Sequence, residues 1–371
     1  MSDSFIIPDC YGEIQRQRMQ GPSGWLLFVA CNDGLELARD VKRDYDALLE
    51  AAGEKRKVTL LNDTAQDTLT KICPDTETIP NLRHHVGGSN AYVFQNVHNL
   101  RSAHSVNDNL MQLCQMIRTL KENGAQTVTI VMPYHPYARQ DKPTLLEREA
   151  ILAKLAADLL VESGTDKIIT YHPHSDAVRG WYVPRAQVTV LTGLDFQAAL
   201  AERIFHEKGI DRSTVCCCST DAGGAKYVIK LAMQLGISHA IGNKYRSGSD
   251  KSETLGIVGN ITGKQIALIA DDETVTFGSL LDTSRALHDT GIKDIYILCS
   301  HNKLRPTYTS RLIEAHEKYG VREVHVTNSV PATDDVVTLP FVRVHSLARH
   351  FAQTINRHHY NLSVSELFHR G

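Results

Sequence analysis

No CxxC spacing, no GxxxxGK(S/T) loop and no long apolar run occurs in this chain, and each absence closes a class of function. Without CxxC spacing there is no layout for a structural zinc site, and consecutive Cys216, Cys217 and Cys218 cannot be spaced as a disulfide framework. Cys216, Cys217 and Cys218 are therefore expected as buried, reduced thiols, and the 8 cysteines of the chain agree with a reducing compartment. Without GxxxxGK(S/T) there is no Walker-type phosphate loop. The first apolar run, residues 25–31, is too short to span a bilayer and follows a polar segment without a signal-peptide layout. A soluble cytoplasmic protein is expected, with the sequons at Asn260 and Asn361 unused. Net charge is also scarce: Lys+Arg 40 against Asp+Glu 42 leaves a formal −2, so neither nucleic acid nor an anionic membrane is an expected partner.

What is present is a series of short apolar runs, at 25–30, 91–95, 128–132, 167–171, 214–218, 239–243, 265–270, 294–299 and 323–327. Helical patterns separate them. Val106, Leu110, Leu113, Ile117 and Leu120 fall at helical spacing between a polar start at Ser105 and a stop at Gly124. Further helices are expected over 144–163, 226–235 and 344–358. Continuous apolar strands alternating with helices imply parallel sheets covered on both faces, an α/β protein. A chain of 371 residues accommodates two domains, and the pattern restarts near Gly164 without a Pro/Ser-rich linker.

Polar residues gather where these runs end. After 128–132 comes Tyr134-His135-Pro136-Tyr137-Ala138-Arg139-Gln140-Asp141-Lys142, whose arginine, amide, carboxylate and lysine suit a highly charged small molecule, nucleotide phosphate above all. Asp271-Asp272 follows 265–270, where α/β proteins bind ligands, and adjacent carboxylates are good partners for vicinal ribose hydroxyls. On these two residues alone a solvated strand end is an equal reading. In Ser219-Thr220-Asp221-Ala222-Gly223-Gly224-Ala225-Lys226 the paired glycines allow a tight turn into a helix. Asp221 is placed there to accept from a sugar hydroxyl or to support hydrated Mg²⁺. His172 and His174 flank Pro173 without the four ligands of a zinc site. Lys244 and Arg246 would share one face of an extended arm.

Taken in order, YxxYARQDK, Val106-Asn107-Asp108-Asn109-Leu110-Met111, the Asp221 segment, Asn243-Lys244-Tyr245-Arg246, Asp271-Asp272 and Val326-Thr327-Asn328 resemble the ribose-phosphate pyrophosphokinases. The resemblance to these phosphoribosyl pyrophosphate synthetases covers roughly residues 24–368. It implies two phosphoribosyltransferase-like (type I) domains. Residues 1–164 would form the ATP side, with 341–371 returning to it, and 165–340 the ribose phosphate side.

The implied reaction is Mg²⁺-dependent transfer of the β,γ-diphosphate of ATP to the C1 hydroxyl of a ribose 5-phosphate moiety, releasing AMP. Arg139, Gln140, Asp141 and His174 would bind ATP, with His172 the alternative histidine, and Arg139, Lys244 and Arg246 would carry catalysis. Asp221, Gly223, Gly224, Asp271, Asp272, Thr276, Phe277, Gly278 and Ser279 would hold the ribose and its phosphate, and His174 and Asp221 the metal. Strand ends from both halves are expected to converge on the reacting groups, in a homo-oligomer between dimer and hexamer.

Two departures bear on the substrate. Val275 and Phe277 stand where the family usually has an acid and a glycine, and a ring in that turn suggests ADP-ribose as an acceptor whose adenine could stack on it. The family's FSDGE-like adenine segment is missing, with Asp63 in the region that replaces it. A catalytically silent regulatory or nucleotide-binding subunit is therefore the rival reading. A phosphoribosyltransferase consuming the diphosphate is a third.

Overall fold

Four apolar runs become neighbouring strands of one parallel sheet: Gly24–Ala30, Ser89–Phe94, Thr127–Val131 and Lys167–Tyr171 pair in that order. Every residue of the first two is buried, as expected of strands covered on both faces. Gln20–Gly21 and Gln187–Leu191 complete the sheet at its edges. This computed structural model describes residues 8–63, 70–144, 146–246 and 252–367.

The chain divides into two units, residues 1–191 with 347–371, and residues 192–346. The first division lies beyond Gly164, where the pattern restarts, because Lys167–Tyr171 and Gln187–Leu191 both add to the first sheet. The second lies beyond 341 because Val342–His345 pairs with Val321–Thr327 in the other sheet.

In the first unit, helix Val106–Glu122 starts at a capping box in which Ser105 Oγ accepts from the Asp108 amide and the Asp108 carboxylate accepts from the Ser105 amide. Its apolar stripe, Leu110, Leu113, Ile117 and Leu120, is buried. Helix Leu152–Glu162 begins later than the expected 144. Glu149 instead accepts from the Thr144 amide and hydroxyl, which closes a turn ahead of the helix. The final helix, Ala348–His359, packs on Leu35–Ala51, with Asn356 Nδ2 donating to Tyr45 Oη at 2.9 Å.

The second unit holds a seven-stranded sheet in the order Ser252–Gly259, Ser238–Arg246, Val215–Ser219, Ile266–Thr274, Asp294–Asn302, Val321–Thr327, Val342–His345. All pairs are parallel except the hairpin of the first two. Alternation divides its core. Cys216, Cys218, Ala267 and Ile269 meet helices Gly278–Asp289 and Thr309–Lys318, while Cys217, Leu268 and Ala270 meet Gly193–Lys208 and Ala225–Leu235. The consecutive cysteines are thus free, buried core residues whose thiols burial pushes up. Among the described residues no helix is long and apolar enough to cross a membrane.

Candidate active site

At the carboxyl edge of the first sheet, the loop after Thr127–Val131 has a buried body and exposed tips. Tyr134, His135 and Ala138 are buried while Arg139 and Gln140 are exposed. The loop is tied to the next strand, since the Tyr171 amide donates to Pro133 O at 3.1 Å. Tyr137 takes a left-handed φ of 56°, and its hydroxyl donates to Asn107 Oδ1, which brings two of the sequence motifs into contact. His172, with φ 38°, is half-buried and His174 is exposed, both at the end of the adjacent strand Lys167–Tyr171. Asp63 lies on an exposed position with Arg39 Nε 3.5 Å away. Residues 64–66 beside it are outside the described residues.

Sequence reasoning passed over His135, which fixes this loop from below. Its ring lies between Pro136 O and Tyr182 Oη, each at 2.8 Å. Burial pushes its pKa down from 6.5 to about 4, so near neutrality Nδ1–H donates to Pro136 O and Nε2 accepts from the tyrosine. Between those two values the unfolded chain binds the proton that the folded chain excludes. The stability is complete above 6.5 and is lost as pH falls toward about 4. His135→Phe should therefore shrink the drop in Tm between about pH 7 and about pH 5. An unchanged drop in thermal melts at the two values would contradict the assignment.

In the second unit the acid pair lies inside strand Ile266–Thr274, and not beyond its end, with Asp271 opposite Cys299 and Glu273 opposite His301. The strand is longer than its apolar run because neighbouring strands and side chains satisfy its polar end. Thr220 Oγ1 donates to Asp271 Oδ2 at 3.0 Å, and the Asp272 amide donates to Asp271 Oδ1 at 3.0 Å. From helix Gly193–Lys208, Gln197 Nε2 reaches Asp271 O at 3.4 Å. Burial first, and then the charges of Asp272 and Asp221, hold the Asp271 carboxyl well above the usual carboxylate range.

Asp221 Oδ1 accepts from the Gly223 and Gly224 amides at 2.9 and 3.2 Å, shaping the turn into helix Ala225–Leu235. Strand Ser238–Arg246 runs beside Val215–Ser219, and a Cβ on Gly242 would stand 2.7 Å from Thr220 O. Glycine is thus needed for the strand to pass so close. Lys244 and Arg246 follow on that strand after an irregularity at Asn243/Lys244, and their side chains lie outside the described residues, as does the run 247–251.

The turn Thr276–Ser279 opens helix Gly278–Asp289, with Thr276 Oγ1 accepting from the Gly278 amide at 3.4 Å. Phe277 corrects one expectation. Its ring is buried in the core that includes Ile269, Leu280, Leu304 and Leu312, so it neither fills the turn nor presents a face for adenine to stack on. Its φ of 59° is one that glycine adopts freely. The conformation costs about 1 kcal/mol; ring burial outweighs it at about 1.5–3 kcal/mol.

Two parallel α/β sheets that each collect charged and hydroxyl groups at the carboxyl edge define a class of small-molecule binding protein. Comparisons with known proteins sharpen this. Residues 28–164 match the N-terminal domain of ribose phosphate pyrophosphokinase, and residues 242–369 match the phosphoribosyl synthetase-associated domain. The chain is 32% identical to a ribose-phosphate pyrophosphokinase of Fusobacterium nucleatum, over 79% of this chain and 87% of that protein. It is 34% identical to ribose-phosphate pyrophosphokinase 2 of Enterococcus faecalis, over 79% and 85%. The crystal structure of phosphoribosylpyrophosphate synthetase from Mycobacterium smegmatis superposes with a TM-score of 0.75 at 27% identity, covering 91% of this chain and 99% of that one. The chain belongs to the ribose-phosphate pyrophosphokinase family.

Proposed function

We propose that this chain transfers the β,γ-diphosphate of ATP to the C1 hydroxyl of ribose 5-phosphate, giving the 1-diphosphate sugar and AMP. The C1 oxygen forms a bond to the β-phosphorus, the bond from that phosphorus to the α-phosphate oxygen breaks, and the hydroxyl proton passes to solvent. The observation that carries this reading is the second unit's edge, where Thr220 and the Asp272 amide orient the Asp271 carboxylate beside the turn Thr276–Ser279. An acid pair suits ribose hydroxyls and a helix start suits a phosphate.

Within this reading Asp221, Asp271, Asp272, Gly223 and Gly224 take the ribose, and Thr276, Gly278 and Ser279 take its phosphate. Phe277 supplies the backbone turn. Arg139, Gln140, Asp141 and His174 take ATP, while Arg139, Lys244 and Arg246 stabilise charge that builds on the transferring group. Mg²⁺ would neutralise phosphate oxygens. Carboxylate oxygens such as those of Asp221, with its Oδ1 on the Gly223 and Gly224 amides, are the hard donors a hydrated Mg²⁺ accepts, and His174 in the first unit and Asp221 in the second are each proposed to support Mg²⁺. Among the described residues no three His, Cys, Asp or Glu group as a metal cage. Self-association between dimer and hexamer belongs to the same proposal.

ADP-ribose is the finer alternative for the acceptor, and burial of the Phe277 ring removes the contact that favoured it. Incubation with ATP, Mg²⁺ and either ribose 5-phosphate or ADP-ribose, followed by mass analysis, tests the choice. Turnover with ribose 5-phosphate is expected to exceed that with ADP-ribose. Preference for ADP-ribose would overturn the acceptor, and absence of AMP with both would support a silent subunit.

A further inference from the structure

We propose that Arg311 is a further ligand of the acceptor's phosphate monoester and sets the preference for a phosphorylated sugar; the inference rests on the sugar-phosphate reading of the second unit. No motif pointed to this residue. Arg311 lies in the first turn of helix Thr309–Lys318 and is half-buried. Its guanidinium sits against the turn that opens the neighbouring helix. Nη1 donates to Thr276 O at 3.1 Å, and the same nitrogen is 3.3 Å from where a Cβ on Gly278 would stand.

The Tyr308 ring lies beneath its Cζ at 5.2 Å and orients the plane of the fork. Thr276 O and this ring are its partners among the described residues, so no carboxylate neutralises a half-buried cation. One donor of five is engaged, and a planar fork pinned at one corner can present the others to a phosphate in paired fashion.

Charge balance explains the need. A helix start offers about half an elementary charge to an anion, against nearly two negative charges on a phosphate monoester. Phe277, with its ring turned into the core, adds no donor from its side chain. Arg311 supplies positive charge at a position already tied to the turn.

The test uses the full chain with ATP and Mg²⁺, comparing wild type, Arg311→Gln and Arg311→Lys on ribose 5-phosphate and on unphosphorylated ribose. Losing a charged hydrogen-bond partner should raise KM for ribose 5-phosphate about ten- to a hundredfold in Arg311→Gln, with kcat within a few fold. The kcat/KM for ribose should stay unchanged, and Arg311→Lys should recover part of the loss. An unchanged KM overturns the assignment. So does an equal loss on both sugars, which would make Arg311 a support of the turn and not a phosphate contact. Where Arg311→Gln fails to fold, Arg311→Lys decides: a KM raised several fold for ribose 5-phosphate alone supports the contact, and wild-type behaviour ends it. If wild type itself neither binds nor consumes ribose 5-phosphate, the acceptor reading falls and takes the assignment with it.

Discussion

Lys303→Met is expected to lower the unfolding free energy of the second unit by about 3–5 kcal/mol. Lys303 Nζ lies 2.8 Å from Glu273 Oε2, with the two side chains 6% and 5% exposed. Glu273 follows Asp271 and Asp272 on the same strand, so removing the ammonium takes a close positive charge away from a buried carboxylate in an acidic segment. The Lys303 amide also donates to Thr274 O at 2.8 Å, but a methionine keeps that bond. The loss is therefore electrostatic. Removing both charges, in Lys303→Met with Glu273→Gln, should restore most of the stability, because neither buried charge then remains. Urea unfolding of wild type, single and double variants measures this. A single variant losing under about 1 kcal/mol, or a double variant as unstable as the single, would refute the account of the pair.

Lys244→Ala is the change expected to damage turnover most while leaving the fold intact. Its strand is held beside Val215–Ser219 by backbone pairing and by the close passage of Gly242 past Thr220, neither of which needs the lysine side chain. Transfer of a diphosphate needs little covalent help from the protein; it needs in-line placement and positive charge on the oxygens where charge builds. By analogy with a lost oxyanion donor, removing one such cation costs about 2.7–4 kcal/mol of barrier, a hundred- to thousandfold in kcat. Wild-type melting with kcat within a few fold of wild type would remove Lys244 from the proposed machinery.

The strands legible from sequence were those covered on both faces, because such strands must be apolar throughout. Runs such as 128–132 and 167–171 correspond to strands Thr127–Val131 and Lys167–Tyr171. Among the strands that escaped notice, Gln187–Leu191, Ser252–Gly259 and Val342–His345 are each the outermost of a large sheet. An outer strand carries polar side chains toward water, as Gln187 and Arg343 do, and so loses the continuous apolar signature. Val342–His345 also shortened the final helix, whose expected start at 344 falls on the strand.

The motif residues were legible as types of chemistry, but their supports were not. Thr220 and Lys303 are far in sequence from the acids they meet, and strand register brings them together. Phe277 shows the limit most plainly. Its residue type implied a crowded turn, and its left-handed backbone turns the ring into the core instead.

The position of the label after reaction with ATP carrying ³²P at the β-phosphorus tests the central claim most directly. Diphosphate transfer predicts labelled sugar and unlabelled AMP. Label retained in ADP would mean that only the terminal phosphate moves, and would contradict the proposed reaction.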